Sequence, residues 1–475
     1  RFFVCCGFNA SGIGGGGGAG KALAEWIVGG EPPYDLGAVD IARYADFYRS
    51  ERQTRVRVLE AIADHFAFHW PYSEAHAGRP LRRSPIYERL KANGACFGQR
   101  SGWERPNWFA PQGVEPVDSP DVLNPNWLTH VAAESKACRE RVALFDLSSF
   151  AKFALVGKDA EQVLQRLCAG NVGREPGRVI YTPMLNARGG IEADITVARI
   201  AEDEYYIVTG TACGVRDRTH IGRNIPAEAR AALVDVSSGY GVLVLMGPRS
   251  RELLQGLAEA DLSNAGLPFA SVREAMVAGA PVRIIRMSMM GELGFELHAP
   301  TEYMLTVYDA LKEAGRAFGL KDAGYRAINS LRLEKRNYIY PGDLNPDLTP
   351  FEAGLPFTVS FKKNTDFTGR AALEKARSEP LHKRLALFAL EEPEVMLIGN
   401  ETIYRNGHVA GYTTSGGHGF TVGRPLAIGL VRDNDGVDER WFASGSFEIE
   451  VCLKRYRATA SLRALYDPDN HRPLS

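Results

Sequence analysis

Little in this composition is in excess, and the shortages narrow what the chain can do. Its 475 residues carry 56 Lys and Arg against 57 Asp and Glu, a net charge of −1. The surplus of positive charge that usually announces nucleic acid or an anionic membrane is therefore missing. Cysteine is scarce as well. Seven residues, spread from Cys5 to Cys452 without CxxC spacing, provide neither a zinc site nor a disulfide framework and point to a reducing compartment. No apolar run approaches the roughly 18 to 20 residues that cross a bilayer. Val242 to Met246 has only strand length, so a soluble chain without a membrane span is expected. An initiating Met is also lacking. The chain opens at Arg1, and Phe2 to Phe8 reads as a buried strand entered part-way, which leads us to expect the C-terminal part of a longer polypeptide. Glycines follow at once, where a secretory signal would need a longer apolar region.

What is present is ordinary: 45% hydrophobic and 24% charged residues, the proportions of a globular protein. At roughly 150 residues per domain the length suggests about three domains. Phe2 to Val4, the glycines from Gly7 to Gly20 and the helical spacing of Ala22, Leu23, Trp26 and Ile27 predict a strand, a glycine-rich turn and a helix. Val39 to His69 continues with a mostly helical pattern. Trp70 to Pro120 is expected to be loop-rich, because Pro71, Pro80, Pro85, Pro106, Pro111, Pro116 and Pro120 recur too often for a long helix or central strand. A domain boundary is expected near residue 110.

From Trp127 onward the pattern is α+β. Strands are predicted at Lys152 to Val156, Thr196 to Ile200, Tyr205 to Val208, Gly241 to Met246 and Val282 to Met287. Helices are predicted at Ala160 to Leu167, Arg249 to Glu259, Tyr303 to Phe318, Ala323 to Glu334 and Gly369 to Ala376. Residues 384 to 462 are strand-dominated. Turn signals at Asn406-Gly407, Ser415-Gly416-Gly417 and Asp433 to Gly436 suggest a small barrel or sandwich there.

Three patterns bear on chemistry. Gly15 to Lys21 satisfies the first seven positions of the phosphate-binding G-x-x-x-x-G-K motif, but Ala22 stands where a Ser or Thr would bind magnesium. What survives is a glycine-rich turn that lets backbone approach a ligand, or a tight structural turn. His65 and His69 have the spacing of paired zinc ligands, but Phe66 replaces the Glu of H-E-x-x-H and no third ligand lies near, so both read as packing histidines and no metal site is expected. In Gly189 to Val197 the two glycines make a hairpin turn. Strand alternation then throws Glu192 and Asp194 to one face, opposite Ile191, Ala193 and Ile195. Facing a cleft, Asp194 is a candidate acid or base; facing solvent, it does nothing. Glu292 and Glu296 share a parity in the same way.

Phe145-Asp146-Leu147-Ser148-Ser149-Phe150-Ala151-Lys152, Met184 to Asp194 and Gly291 to Leu297 together resemble the folate-binding aminomethyltransferase module of the glycine cleavage T-protein. Thr414-Ser415-Gly416 is similar to the signature of that module's C-terminal barrel. Ahead of it, Gly7 to Ile13 and Ala24 to Ile27 are similar to the last FAD-contacting loop and helix of amine-oxidising flavoproteins. Gly78 to Pro85 and Gly102 to Phe109 resemble the bridge of sarcosine and dimethylglycine dehydrogenases, and Gly324 to Leu331 with Phe351 to Leu355 lean to the sarcosine branch.

The resemblance implies a remnant of an FAD-dependent oxidoreductase domain with its connecting segment over 1–112, a folate-binding α+β domain over 113–378 and a small C-terminal β-barrel over 379–475. It implies FAD, whose site is only partly present with Gly7, Asn9, Ser11, Gly12 and Ile13 along the flavin, and tetrahydrofolate. It further implies that Asp194 is the catalytic acid or base and that Tyr181 and Glu296 bind folate, Glu296 by accepting the pterin's N–H donors. An N-methylated glycine and an electron-transfer flavoprotein are the implied partners, in the mitochondrial matrix of a eukaryote or the cytoplasm of a bacterium. The dinucleotide-binding G-x-G-x-x-G is absent from these residues; Met289 stands where the family has a Tyr, and Ile328 where it has an Arg. The regulatory subunit of pyruvate dehydrogenase phosphatase shares this architecture without the catalysis, and fold alone does not decide between the two. A T-protein-like tRNA-modification factor is disfavoured, because its K-G-C-x-x-G-Q-E motif is missing from Arg336 to Leu355.

Overall fold

Along Ile191–Ala201, Ile191, Ala193, Ile195 and Val197 are buried, while Glu192, Asp194 and Thr196 on the opposite face are half-buried. That period of two makes the segment a strand with one face in a core and the other lining a cavity. The computed structural model in which it lies describes residues 2–9, 11–119, 121 and 123–475. Ile191–Ala201 is second in a five-stranded antiparallel sheet ordered Val179–Leu185, Ile191–Ala201, Glu204–Thr209, Ala151–Val156 and Ala232–Asp235. The amphipathic helix Ala160–Leu167 covers its core face, where Val163, Leu164, Ile195 and Ile207 pack. Each such side chain contributes about 1.5 to 3 kcal/mol when fully buried.

A six-stranded sheet runs Ser271–Val277, Ala280–Arg286, Gly294–Pro300, Tyr240–Met246, Ala143–Asp146 and Lys321–Asp322, antiparallel except at the last pair. Leu243, Leu245 and Leu297 on one face pack against Val307 and Leu311 of the helix Met304–Gly315. Phe145 and Val244 on the other pack against Val131 and Leu331, from the helices Leu128–Glu140 and Tyr325–Glu334. The sheet is thus sandwiched, which is why the central run Val242 to Met246 is apolar without interruption, whereas its neighbour Gly294–Pro300 carries Glu296 and His298. Ile86, Leu90 and Ala95, ahead of the expected boundary, share the core of Leu243 and Leu297.

Residues 383–461 form a closed six-stranded barrel. Asn406 and Gly407 both have positive φ, as a two-residue hairpin turn requires. Ser415-Gly416-Gly417 is a correction: it lies inside the strand His408–Gly419, next to a register shift. A Cβ at Gly416 would lie 2.5 Å from the Leu397 carbonyl carbon, so the glycine serves close backbone approach rather than a turn.

The N-terminal expectations are overturned. Phe2 is 92% exposed and Val4 63%, and no strand forms there among the described residues. The glycines from Gly12 onward belong to one helix, Gly12–Gly29, which extends the Ala22, Leu23 and Trp26 repeat backward. Phe3 packs edge-on against Trp26, with centroids 5.5 Å apart. Inside a helix the N–H groups of Gly16 to Lys21 are spent on its own carbonyls, so the G-x-x-x-x-G-K stretch is neither a phosphate cradle nor a tight turn. His65 and His69 are exposed beyond the end of the helix Glu51–Ala63, so they are not packing residues. Among the described residues no group of three His, Cys, Asp or Glu could hold a metal ion. The stretch Trp70 to Pro120 is less loop-like than expected. It contains the helix Tyr87–Ala92 and the ribbon Ala95–Arg100 with Trp103–Phe109, where Pro106 sits at a register shift of a two-stranded ladder.

Candidate active site

The cavity-lining face of Ile191–Ala201 meets Glu296 of Gly294–Pro300 across a cavity of about 1140 Å³, and the segments 335–340, 355–360 and 470–474 close the remaining sides. The hairpin before the first strand sets its register. Asn186 Oδ1 accepts from the N–H groups of Arg188 and Gly190, Gly189 has φ +81°, and a Cβ at Gly190 would lie 1.8 Å from the Pro346 carbonyl oxygen.

Register then places Asp194 opposite Pro183 and Tyr181 opposite Thr196. Tyr181 Oη donates to Asp194 Oδ2 at 3.2 Å. Burial lifts the Asp194 carboxyl from its ordinary 3.8 to about 6, with a smaller push from the Asp343 charge, while the Tyr181 hydrogen bond opposes both. Burial also holds the Tyr181 phenol well above its ordinary value, so at neutral pH it is a donor. The pair is an ionised carboxylate close to its titration point beside a neutral hydroxyl, the state a general base needs.

Glu296 is oriented from behind. Its Oε2 lies 3.3 Å from Nε2 of the fully buried His298, whose Nδ1 lies 3.1 Å from Tyr206 Oη. Burial lowers the His298 pKa, leaving the ring neutral. A carboxylate only accepts, so Nε2 carries the proton and Nδ1 accepts from Tyr206. Glu292, of the same sequence parity, is elsewhere: fully buried, it pairs with Arg139 at 3.2 Å and accepts from Tyr466. Glu192 is tied to Arg216 at 2.5 Å. Of the four carboxylates singled out from the sequence, the cavity takes Asp194 and Glu296.

Other lining residues were not singled out from the sequence. The hydroxyls of Tyr338 and Tyr340 are buried without a hydrogen-bond partner among the described residues. Their alternation in Asn337 to Tyr340 could have marked them. Arg174 and Arg178 also line the cavity and form no ion pair among the described residues. Met289 lines the cavity, whereas Ile328 is buried in the core beside Met290.

The five residues expected along the flavin behave differently. Gly7, Asn9, Ser11, Gly12 and Ile13 are exposed, a Cβ on Gly7 would meet nothing within 4 Å, and Ile13 projects wholly into solvent. They form no cradle, so the described residues do not by themselves fit a flavin.

Residues 86–363 match the GCVT N-terminal domain, 383–467 the glycine cleavage T-protein C-terminal barrel domain, and 29–84 the FAD dependent oxidoreductase central domain. Mitochondrial sarcosine dehydrogenase of Mus musculus is 39% identical over 99% of this chain and 56% of its own length. Mitochondrial dimethylglycine dehydrogenase of Homo sapiens is 35% identical over 91% and 50%. The mitochondrial pyruvate dehydrogenase phosphatase regulatory subunit of Mus musculus is 34% identical over 97% and 54%. The chain thus spans about half the length of these curated relatives. The crystal structure of the glycine cleavage system aminomethyltransferase T from Bartonella henselae matches with a TM-score of 0.69 at 23% identity, covering 82% of this chain and 99% of that one, a likeness of fold. The chain belongs to the glycine cleavage T-protein family, with a match to the FAD dependent oxidoreductase central domain ahead of that module and with sarcosine and dimethylglycine dehydrogenases among its relatives.

Proposed function

We propose that this chain is part of an FAD- and tetrahydrofolate-dependent demethylating dehydrogenase that oxidises N-methylglycines, sarcosine or dimethylglycine. In this proposal the 1140 Å³ cavity is where the one-carbon unit passes to tetrahydrofolate. The observation that carries it is the placement of the Asp194–Tyr181 pair and Glu296 on one cavity wall system. Glu296, oriented by His298, accepts N–H donors of the pterin edge. Arg174 and Arg178 suit the carboxylates of a folate tail.

For sarcosine, the oxidised substrate is the methylene iminium of glycine. The N5 and N10 lone pairs of tetrahydrofolate each form a bond to its carbon, the carbon–nitrogen bond to glycine breaks, and the two folate N–H protons end on the glycine nitrogen. Asp194 takes a proton from the attacking amine, returns it to the leaving nitrogen, and stabilises the cation with its negative charge. FAD, when bound, would supply the oxidation that makes the iminium. An electron-transfer flavoprotein as acceptor, and a mitochondrial matrix or bacterial cytoplasmic location, belong to the same proposal.

A ligand bound only by the native state stabilises it by mass action, about 2.7 kcal/mol at a hundredfold excess over Kd. Saturating tetrahydrofolate should therefore raise the melting temperature of the chain. Glu296→Ala should abolish that rise, because pterin donors left unpaired in a buried site cost about 1 to 3 kcal/mol or more. A full shift in the variant assigns the pterin anchor elsewhere. The likeness to the phosphatase regulatory subunit favours a second reading, a non-catalytic regulatory protein of the same architecture. Absence of any tetrahydrofolate shift in the unmodified chain would favour it.

A further inference from the structure

A second cleft, of about 300 Å³, opens where three parts of the chain meet. Arg100, Arg105 and Asn107 of the two-stranded ribbon line it, with Glu74 from the preceding loop, Tyr325 from the start of the helix Tyr325–Glu334, and His418 from the barrel. These positions fall within all three matched domains, and junctions of this kind are preferred places for small-molecule pockets. None of the residues assigned to the Asp194 cavity takes part.

Charge in this cleft is not balanced. Arg326, on its wall, is neutralised by Asp118 through two hydrogen bonds of 2.7 Å. Arg100 and Arg105 form no ion pair among the described residues. Arg105 stacks 4.1 Å over the Tyr325 ring, and its Nε is buried without a hydrogen-bond partner. Burial, reinforced by the neighbouring Arg100 charge, pulls its pKa below the ordinary value. The one carboxylate present, Glu74, already accepts from the Gln99 backbone N–H at 3.0 Å and from Asn107 Nδ2 at 3.2 Å. His418 is held toward its neutral form by burial and adds no charge. Arg105 is half-buried and Arg100 exposed. Two guanidinium groups against one carboxylate leave an excess of one positive charge on the wall of the cleft, which a monoanion would balance.

We infer that this cleft binds a small aliphatic monocarboxylate, of the size of acetate, through the guanidinium groups of Arg105 and Arg100. A guanidinium fork matches the two oxygens of a carboxylate. Glu74 opposes a dianion, and the aromatic walls of Trp127 and Phe420 disfavour a fully hydrated inorganic ion.

The test is titration of the full chain with acetate, propionate and sulfate, followed by saturation-transfer NMR and calorimetry. Saturable binding of acetate or propionate is expected, weakened about tenfold or more in Arg105→Gln. Arg100→Gln removes an exposed side chain, so it leaves the fold intact and decides the matter if Arg105→Gln misfolds; it should weaken binding about threefold or more. Three results would overturn the site: no saturable binding, both variants binding like the parent, or sulfate binding as tightly as the carboxylates.

Discussion

In the proposed role, Asp194 would have to meet two demands that pull in opposite directions. A base must stay ionised at working pH, yet its proton affinity must be high enough to accept from an amine; burial raises the Asp194 carboxyl to about 6 while the Tyr181 hydroxyl limits the rise. The native pKa lies above the ordinary 3.8. Between those two values the native state binds more protons than the unfolded one, so this group's contribution to stability falls as pH rises through the window. Asp194→Asn removes the penalty. The variant should melt above the parent at pH 8, with the difference closing as the pH falls toward 4, measured by calorimetry across pH. In an enzyme able to oxidise the amine, the same variant should keep flavin reduction and folate affinity. Methylenetetrahydrofolate formation should fall by roughly two to four powers of ten, the usual span for a positioned acid or base, and free formaldehyde should appear instead. The parent's transfer rate should rise through about pH 6, a limb absent from the variant. Normal methylenetetrahydrofolate formation in Asp194→Asn would make the residue a bystander.

At the scale of elements, the hairpin between Val179–Leu185 and Ile191–Ala201 fixes which residues face the cavity. A slip of one residue would turn Asp194 into the core and Ile195 into the cavity. Gly190 guards that register, because any Cβ there meets Pro346 O at 1.8 Å. Gly190→Ala should lower stability by about 1 to 3 kcal/mol, the range for overpacking, read from urea unfolding. An unchanged midpoint would show that the 346 segment yields freely. The helix Gly12–Gly29 is the opposite case. Ala22 is its one buried residue among the described ones, and each glycine in a helix interior costs about 1 kcal/mol relative to Ala. Amide exchange should therefore be fastest at 12–20 and slowest along Ile191–Ala201 and Tyr240–Met246, where the backbone is paired and buried. Slow exchange at 12–20 would require a partner covering that surface.

For the molecule as a whole, the chain after the barrel returns to the first module. Tyr466 bonds to Glu292, Lys335 donates to Asn470 Oδ1 at 2.7 Å, and Arg286 donates to the Ser475 carbonyl oxygen at 2.9 Å, so Pro473 and Leu474 come to line the cavity. The cavity is thus a product of the assembled modules. The segment Gly7 to Ile13, expected to contact a flavin, lacks such an enclosure, and the glycine-rich βαβ unit that usually binds the pyrophosphate is not among these residues. Purified 475-residue protein should be colourless. A yellow preparation with stoichiometric flavin, seen in its absorption spectrum, would show that the exposed loop suffices.

Much of the architecture was legible residue by residue, since helix and strand periods are local. Ala160 to Leu167 could be read directly, and the alternation about Asp194 and the strand-rich barrel were visible without any structure. The glycine run was misread because a loop and a helix differ there by packing, not by pattern. Parity put Glu292 beside Glu296, but Glu292 precedes the strand and is drawn to Arg139 instead. Sequence alone determined which segments are amphipathic and which residues share a strand face, because a side chain's direction follows from its neighbours' dihedrals. Only the tertiary structure decided that Asp194 and Glu296 face one cavity, that His298 orients Glu296, and that Arg100 and Arg105 share one cleft with Glu74. Those relations depend on contacts between residues far apart in the chain, and on water excluded by all of them together.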